Sequence, residues 1–218
     1  LETRTNSKFR GIFRMKKVTP LFSKAFCVDE LKLTDNQVNK IINIIKKLDY
    51  TKVGKIENGQ AYNSNNFYVL DDNNLSFLKK IIETNFKKFM KDDLSYTNDF
   101  KLTTSWIAKI EPGGYSHWHN HNNCFYSGVL YLTTNKNGSG NIIFNTFSNN
   151  RFELQPKEWN IFNSKTFSFC PKTKEVIYFP AEIFHKVEQN TTQSTRYSLA
   201  FNFMPIGKLG SCDSELKI

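Results

Sequence analysis

From residue 102 onward the chain is cut into short runs of Val, Ile, Leu, Tyr and Phe by clusters of turn-forming residues, and no other feature restricts its fold as much. The runs are 102–110 (LTTSWIAKI), 125–132 (FYSGVLYL), 141–144 (NIIF), 175–180 (EVIYFP) and 196–203 (RYSLAFNF). β-Branched and aromatic residues suit the pleated, half-buried surface of a strand. Glu111-Pro112-Gly113-Gly114 and Asn137-Gly138-Ser139-Gly140 supply breaks between runs. Before residue 100 the periodicity is helical. Thr34 and Gln37 have capping-box spacing, and Val38, Ile41, Ile42, Ile45 and Leu48 follow at helical intervals. A second helix is predicted to start near Asp72-Asn73-Asn74, with an apolar stripe of Leu75, Leu78, Ile81, Ile82 and Phe89. Helices first and many short strands afterwards predict a mainly β, α+β architecture: an antiparallel double sheet with helices packed on its back. Residues 145–170 are irregular and aromatic-rich, and read as an insertion suited to a lid or substrate loop.

The 218 residues suit one compact domain. The expected layout is an N-terminal arm over 1–17 and a single domain over 18–218, with helical support to residue 100 and a β core over 101–205. No apolar stretch is long enough to cross a membrane, and LETRTNSKFRGIFRMKK is too polar and basic for a signal peptide. Cys27, Cys124, Cys170 and Cys212 form no C-x-x-C pair and read as free thiols in a reducing, cytoplasmic setting, not as a zinc site. The net charge of +10 favours acidic partners. However, its dense spots, Lys46-Lys47, Lys79-Lys80 and Lys87-Lys88, fall on polar faces of the predicted helices. Arg is also not interleaved with aromatics as in single-strand binders. A solvated lysine surface is therefore preferred, and nucleic acid is not the favoured partner.

The chain has four histidines, and three of them lie in Tyr115-Ser116-His117-Trp118-His119-Asn120-His121. On an extended segment alternate side chains share a face. The fourth, His185, follows a strand and Pro180. A close pair of histidines plus one distant histidine on a later strand is how a jelly-roll barrel builds a facial metal site. Imidazole suits iron, copper, nickel and zinc alike. A single histidine is more often a hydrogen-bonded surface or core residue; three at alternating positions, in a chain with one other, point to metal. The near pair is either His119/His121 or His117/His119. Arg196-Tyr197-Ser198 follows His185 closely, with Arg196 and Ser198 on one face of a strand. A guanidinium beside a hydroxyl suits a bidentate grip on a carboxylate.

These elements occur in an order that resembles the 2-oxoglutarate/Fe(II)-dependent dioxygenases, and more narrowly an oxygenase group common in bacteria and phages. The matching parts are His119-Asn120-His121, Ser127-Gly128-Val129-Leu130-Tyr131, Gly140-Asn141-Ile142-Ile143-Phe144, Phe179-Pro180 to His185-Lys186-Val187, Arg196-Tyr197-Ser198 and Phe201-Asn202. Val18-Thr19-Pro20-Leu21-Phe22 also resembles the start of that group. The resemblance implies a double-stranded β-helix (jelly-roll, cupin-like) core and the cytoplasm of a bacterium or phage-infected host. It implies Fe(II) on His119, His121 and His185, with O2 as oxidant and 2-oxoglutarate as co-substrate. Arg196, with Ser198 and Tyr131, would bind the far carboxylate of the keto acid. An unidentified small-molecule or peptide substrate would be hydroxylated with release of succinate and CO2; a homodimer is compatible with this reading. The sequence departs from the usual two-histidine, one-carboxylate triad, because His121 stands where a carboxylate is common, and Asn122 replaces an expected proline. Two other functions compete: a three-histidine cupin-type dioxygenase that needs no keto acid, and a non-catalytic metal-binding module.

Overall fold

The structure, a computed structural model, describes residues 18–21, 23–53, 60–134, 138–147, 152 and 154–218. The arm expected over 1–17 lies outside them. In chain order the elements are β1 (Cys27–Glu30), α1 (Asp35–Ile45), β2 (Tyr50–Lys52), β3 (Ala61–Ser64), α2 (Ser76–Lys88), β4 (Asp99–Ile110), β5 (Tyr126–Tyr131), β6 (Ile142–Asn145), β7 (Thr166–Phe169), β8 (Glu175–Pro180), β9 (Phe184–Val187), β10 (Arg196–Ile206), β11 (Lys208–Leu209) and β12 (Leu216–Lys217). Seven of the strands pair antiparallel in the order β1-β8-β5-β10-β4-β3-β2, three in the order β7-β6-β9, and β11 pairs with β12. The architecture is mainly β with flanking helices. No helix among the described residues is long and apolar enough to cross a membrane.

Period-two alternation on the central strands divides the molecule into two compartments. On β10, Leu199, Phe201 and Phe203 enter the core that also holds Ile41 and Ile45 of α1 and Leu78, Ile82 and Phe86 of α2. Leu102 and Ile107 of β4, Leu130 of β5, and Val176 and Tyr178 of β8 join it. Phe86 stacks on Phe203 with centroids 3.8 Å apart, an offset of apolar rings that fills the helix–sheet seam. The intervening residues point the other way. Tyr131, Ile177 and Phe179 pack against Ile142 and Phe144 of the smaller sheet, which closes the second layer. Gly128, paired with Phe201 across β5 and β10, leaves room for that ring: a Cβ there would stand 2.3 Å from it.

The helical signals are realised closely. Thr34 caps α1 reciprocally with Gln37, as its spacing predicts. The second helix begins later than Asp72, because Asp72 caps a one-turn 3-10 segment (Asn73–Leu75) by accepting from Asn74 N, and α2 follows it. A π-helical turn, Phe89–Asp93, extends α2 and buries Phe89 and Met90. Within 145–170, expected to be irregular, Thr166–Phe169 forms β7 on the free edge of β6. Its four residues are too short a run to announce a strand without the partner that satisfies their backbone groups.

Candidate metal centre

Main-chain pairing fixes where the histidines go. After the Glu111–Gly114 turn, in which Gly113 takes φ +81° and Gly114 N donates to Glu111 O at 2.9 Å, the chain runs back alongside β9. Ser116 N donates to Val187 O at 3.0 Å, and Val187 N to Ser116 Oγ at 2.7 Å. His119 and His185 exchange both backbone bonds, at 3.0 and 2.8 Å, so their side chains emerge directly opposite each other. His121 N donates to Ala181 O at 3.0 Å, which pins the third histidine beside the other two. The ring nitrogens of His119, His121 and His185 lie within 4.8 Å of one another. The alternation rule allowed all three near histidines to share a face. His117 does not join the cluster. It is exposed, its ring stands 5.3 Å from that of Tyr115, and its contribution is the backbone carbonyl that accepts from His119 Nδ1 at 2.8 Å.

The donor set suits a transition metal. His119 Nδ1 and His185 Nδ1 each face a backbone carbonyl, that of His117 at 2.8 Å and that of Ile183 at 3.0 Å. A protonated Nδ1 leaves the lone pair on Nε2, and such outer carbonyls orient metal-binding imidazoles. His121 Nε2 and His185 Nε2 are 3.3 Å apart. Two nitrogens sharing one ion at about 2.1 Å each stand roughly 3.0–3.4 Å from one another. Burial, and then the neighbouring His119, pushes His121 down to about 4 and His185 down to about 3, so both are neutral at physiological pH. Neutral imidazole is the form that ligates. Trp106 covers His121, with centroids 5.5 Å apart, and Phe179 covers His185 at 4.8 Å.

A cavity of about 560 Å³ opens from this cluster towards Arg196. Arg196 is 3% exposed; its Nη1 donates to the carbonyls of Ser139 at 3.1 Å and Gly140 at 2.6 Å. Gly140 takes φ +87° beneath Glu188, whose carbonyl oxygen would be 2.3 Å from any Cβ, so the carbonyl turn around Arg196 requires glycine. The guanidinium carbon lies 5.1 Å from the centre of the Tyr131 ring. Arg196 Nε and Tyr131 Oη are buried without a hydrogen-bond partner among the described residues. Burial raises the Tyr131 hydroxyl above its usual range, against the pull of Arg196, so it is a donor. Burial lowers Arg196, opposed by Tyr131, yet a guanidinium remains a cation. Ser198, opposite Tyr131 in the β10–β5 register, faces the same cavity. Leaving two buried donors unpaired costs about 1–3 kcal/mol each. A carboxylate has the two acceptor oxygens needed to pair with both. Two lining residues not singled out as site residues in the sequence, Trp106 and Asn202, lie on the cavity-facing parity of β4 and β10. Counting in twos from Arg196 would have found Asn202.

Residues 104–202 match the model of the family described as "Putative 2OG-Fe(II) oxygenase". Solved structures with the same fold include HygX from Streptomyces hygroscopicus with nickel, 2-oxoglutarate and hygromycin B bound (11% identity, TM-score 0.61, 84% of this chain and 83% of that one). They also include a prolyl hydroxylase from Trichoplax adhaerens in complex with a hypoxia inducible factor peptide fragment (13%, 0.59, 82% and 83%). A Pseudomonas putida prolyl-4-hydroxylase is a third (13%, 0.58, 84% and 93%). Their shared fold is the double-stranded β-helix core. No curated protein sequence matches the chain.

Proposed function

Because residues 104–202 match the 2OG-Fe(II) oxygenase model, we propose that the chain is an oxidoreductase of that family, that His119, His121 and His185 hold Fe(II), and that Arg196, Ser198 and Tyr131 hold 2-oxoglutarate. The observation that carries this reading is the buried Arg196–Tyr131 pair. A cation and a phenol that both line the cavity starting at the histidines each keep a buried donor without a partner among the described residues. A three-histidine enzyme that bound its substrate on iron alone would have no use for them. When bound, the iron and keto acid together supply O2 activation and hydroxylation, with release of succinate and CO2. The protein does the rest. The three imidazoles present lone pairs from one side only, which leaves the cavity side open. Arg196 and the Tyr131 hydroxyl fix the far carboxylate, with Ser198 beside them. Trp106, Ile142 and Val129 wall the cavity with apolar surface and exclude water. A third imidazole in place of a carboxylate leaves the centre one unit more positive, which favours a dianionic keto acid. The substrate is a small molecule or a peptide side chain.

The test is spectroscopic. Fe(II)-loaded protein under nitrogen should develop a visible charge-transfer band when 2-oxoglutarate is added, and not without it. Arg196→Ala should still bind Fe(II), but its keto-acid affinity should fall by well over tenfold, since unpairing a buried charge costs about 2–5 kcal/mol. Equal affinity in the two proteins would remove Arg196 from the assignment.

A further inference from the structure

The cavity has a second end, away from the residues proposed to hold iron and keto acid. Its β10 wall runs Arg196, Ser198, Ala200, Asn202, so Asn202 stands beyond the level at which Trp106 of β4, paired with Ala200, meets His121. Asn202 is 9% exposed. Its Oδ1 accepts from Ser127 Oγ at 2.8 Å and its Nδ2 donates to Thr104 Oγ1 at 3.0 Å. Those two bonds hold the amide in place and use half its capacity. One N–H and one lone pair remain to serve the cavity it lines. Beside it Trp106 presents its ring, with Phe67 6.3 Å further out. Charge is the deciding feature. Among the described residues no Asp, Glu or Lys lines this cavity, and its one fixed charge, Arg196, sits at the opposite end. A carboxylate or phosphate entering beside Asn202 would lose its hydration and meet no charged side chain among the described residues at this end.

We propose that this end of the cavity is the substrate site for an uncharged aromatic carboxamide. The ring packs on Trp106, and the amide pairs with Asn202, its oxygen accepting from Nδ2. The assignment rests on the oxygenase reading above and narrows it to a substrate class. The same chemistry is offered by a free amide and by an aromatic residue within a peptide.

The experiment uses Fe(II)-loaded protein with saturating 2-oxoglutarate under nitrogen, titrated calorimetrically with indole-3-acetamide, N-acetyltryptophanamide and indole-3-acetate. At least one amide should bind roughly tenfold or more tightly than the acid, because the acid buries an uncompensated charge. A tighter capped residue identifies a peptide substrate, and a tighter free amide a small molecule. Asn202→Asp keeps both hydroxyl partners, which can each donate to a carboxylate, but removes the donor to the cavity. It should weaken amide binding about tenfold or more, with the charge-transfer band intact. Trp106→Ala should weaken it too, and Trp106→Phe should recover most of the loss. The proposal is overturned if the acid binds as well as the amides, if no amide binds, or if Asn202→Asp binds them like wild type. Absence of the band in wild type would instead strike at the iron and keto-acid assignment itself.

Discussion

At the residue scale, the site depends on which nitrogens converge. His119, His121 and His185 bring ring nitrogens within 4.8 Å, while His117 lends only its carbonyl to His119 Nδ1. Fe(II) titration under nitrogen should therefore show binding abolished or greatly weakened in His119→Ala, His121→Ala and His185→Ala. His117→Ala should retain most of it, because the carbonyl survives the substitution. His121→Asp separates ligation from simple packing: it restores a common ligand set and should bind iron far better than His121→Ala. If both variants at 121 bind like wild type, His121 is a bystander. The period-two spacing of the histidines is plain in the sequence, yet it could not choose among them. All three have the same parity, and an irregular extended segment does not keep parity faithfully.

At the element scale, β5 and β10 form the spine, and Gly128 sets how closely their side chains interleave. A Cβ at 128 would lie 2.3 Å from Phe201 Cε2 and 3.0 Å from Tyr178 Cδ1. Both rings are fully buried against α2, so neither can swing away cheaply. Gly128→Ala should thus cost about 1–3 kcal/mol of overpacking, read as a lower urea midpoint at unchanged slope. A midpoint within error of wild type would mean that the packing around Gly128 is looser than its geometry. The capping box, both helical stripes and the five strand runs were legible from spacing alone, because each rests on contacts within a few residues. β1, β2, β3 and β7, at three to four residues each, were not. Strands so short exist only because a neighbouring strand, remote in sequence or brought back by a turn, supplies their hydrogen bonds.

At the scale of the whole molecule, the proposed ligands tie together parts of the chain that are remote in sequence. The segment 115–121, β9 and β10 meet only in the folded state, so the unfolded chain has no site to bind with. Ligands that bind the native form alone stabilise it: at a hundredfold excess over Kd the gain is about 2.7 kcal/mol. For a domain of this size that is roughly a 5–10 °C rise in Tm. Fe(II) with 2-oxoglutarate should produce such a rise in anaerobic calorimetry, and chelation should reverse it. A protein lacking all three histidines should show no shift. A similar rise in that variant would place metal binding elsewhere.

The sequence by itself determined the local and periodic features: where helices and long strands form, which parity of each strand is apolar, and the order H-x-H, S-G-V-x-Y, F-P, H, R-x-S that points to the family. Those follow from residue chemistry and spacing, which need no partner. The tertiary structure alone decided which histidines converge, through hydrogen bonds joining His119 to His185 and His121 to Ala181. It also decided that Arg196 and Tyr131 are buried with donors unused, and that Trp106 and Asn202 wall the same cavity as the histidines. Each of these depends on the register between strands distant in the chain. Register is set by the simultaneous packing of both sheets and the helices, and no local window of sequence contains it.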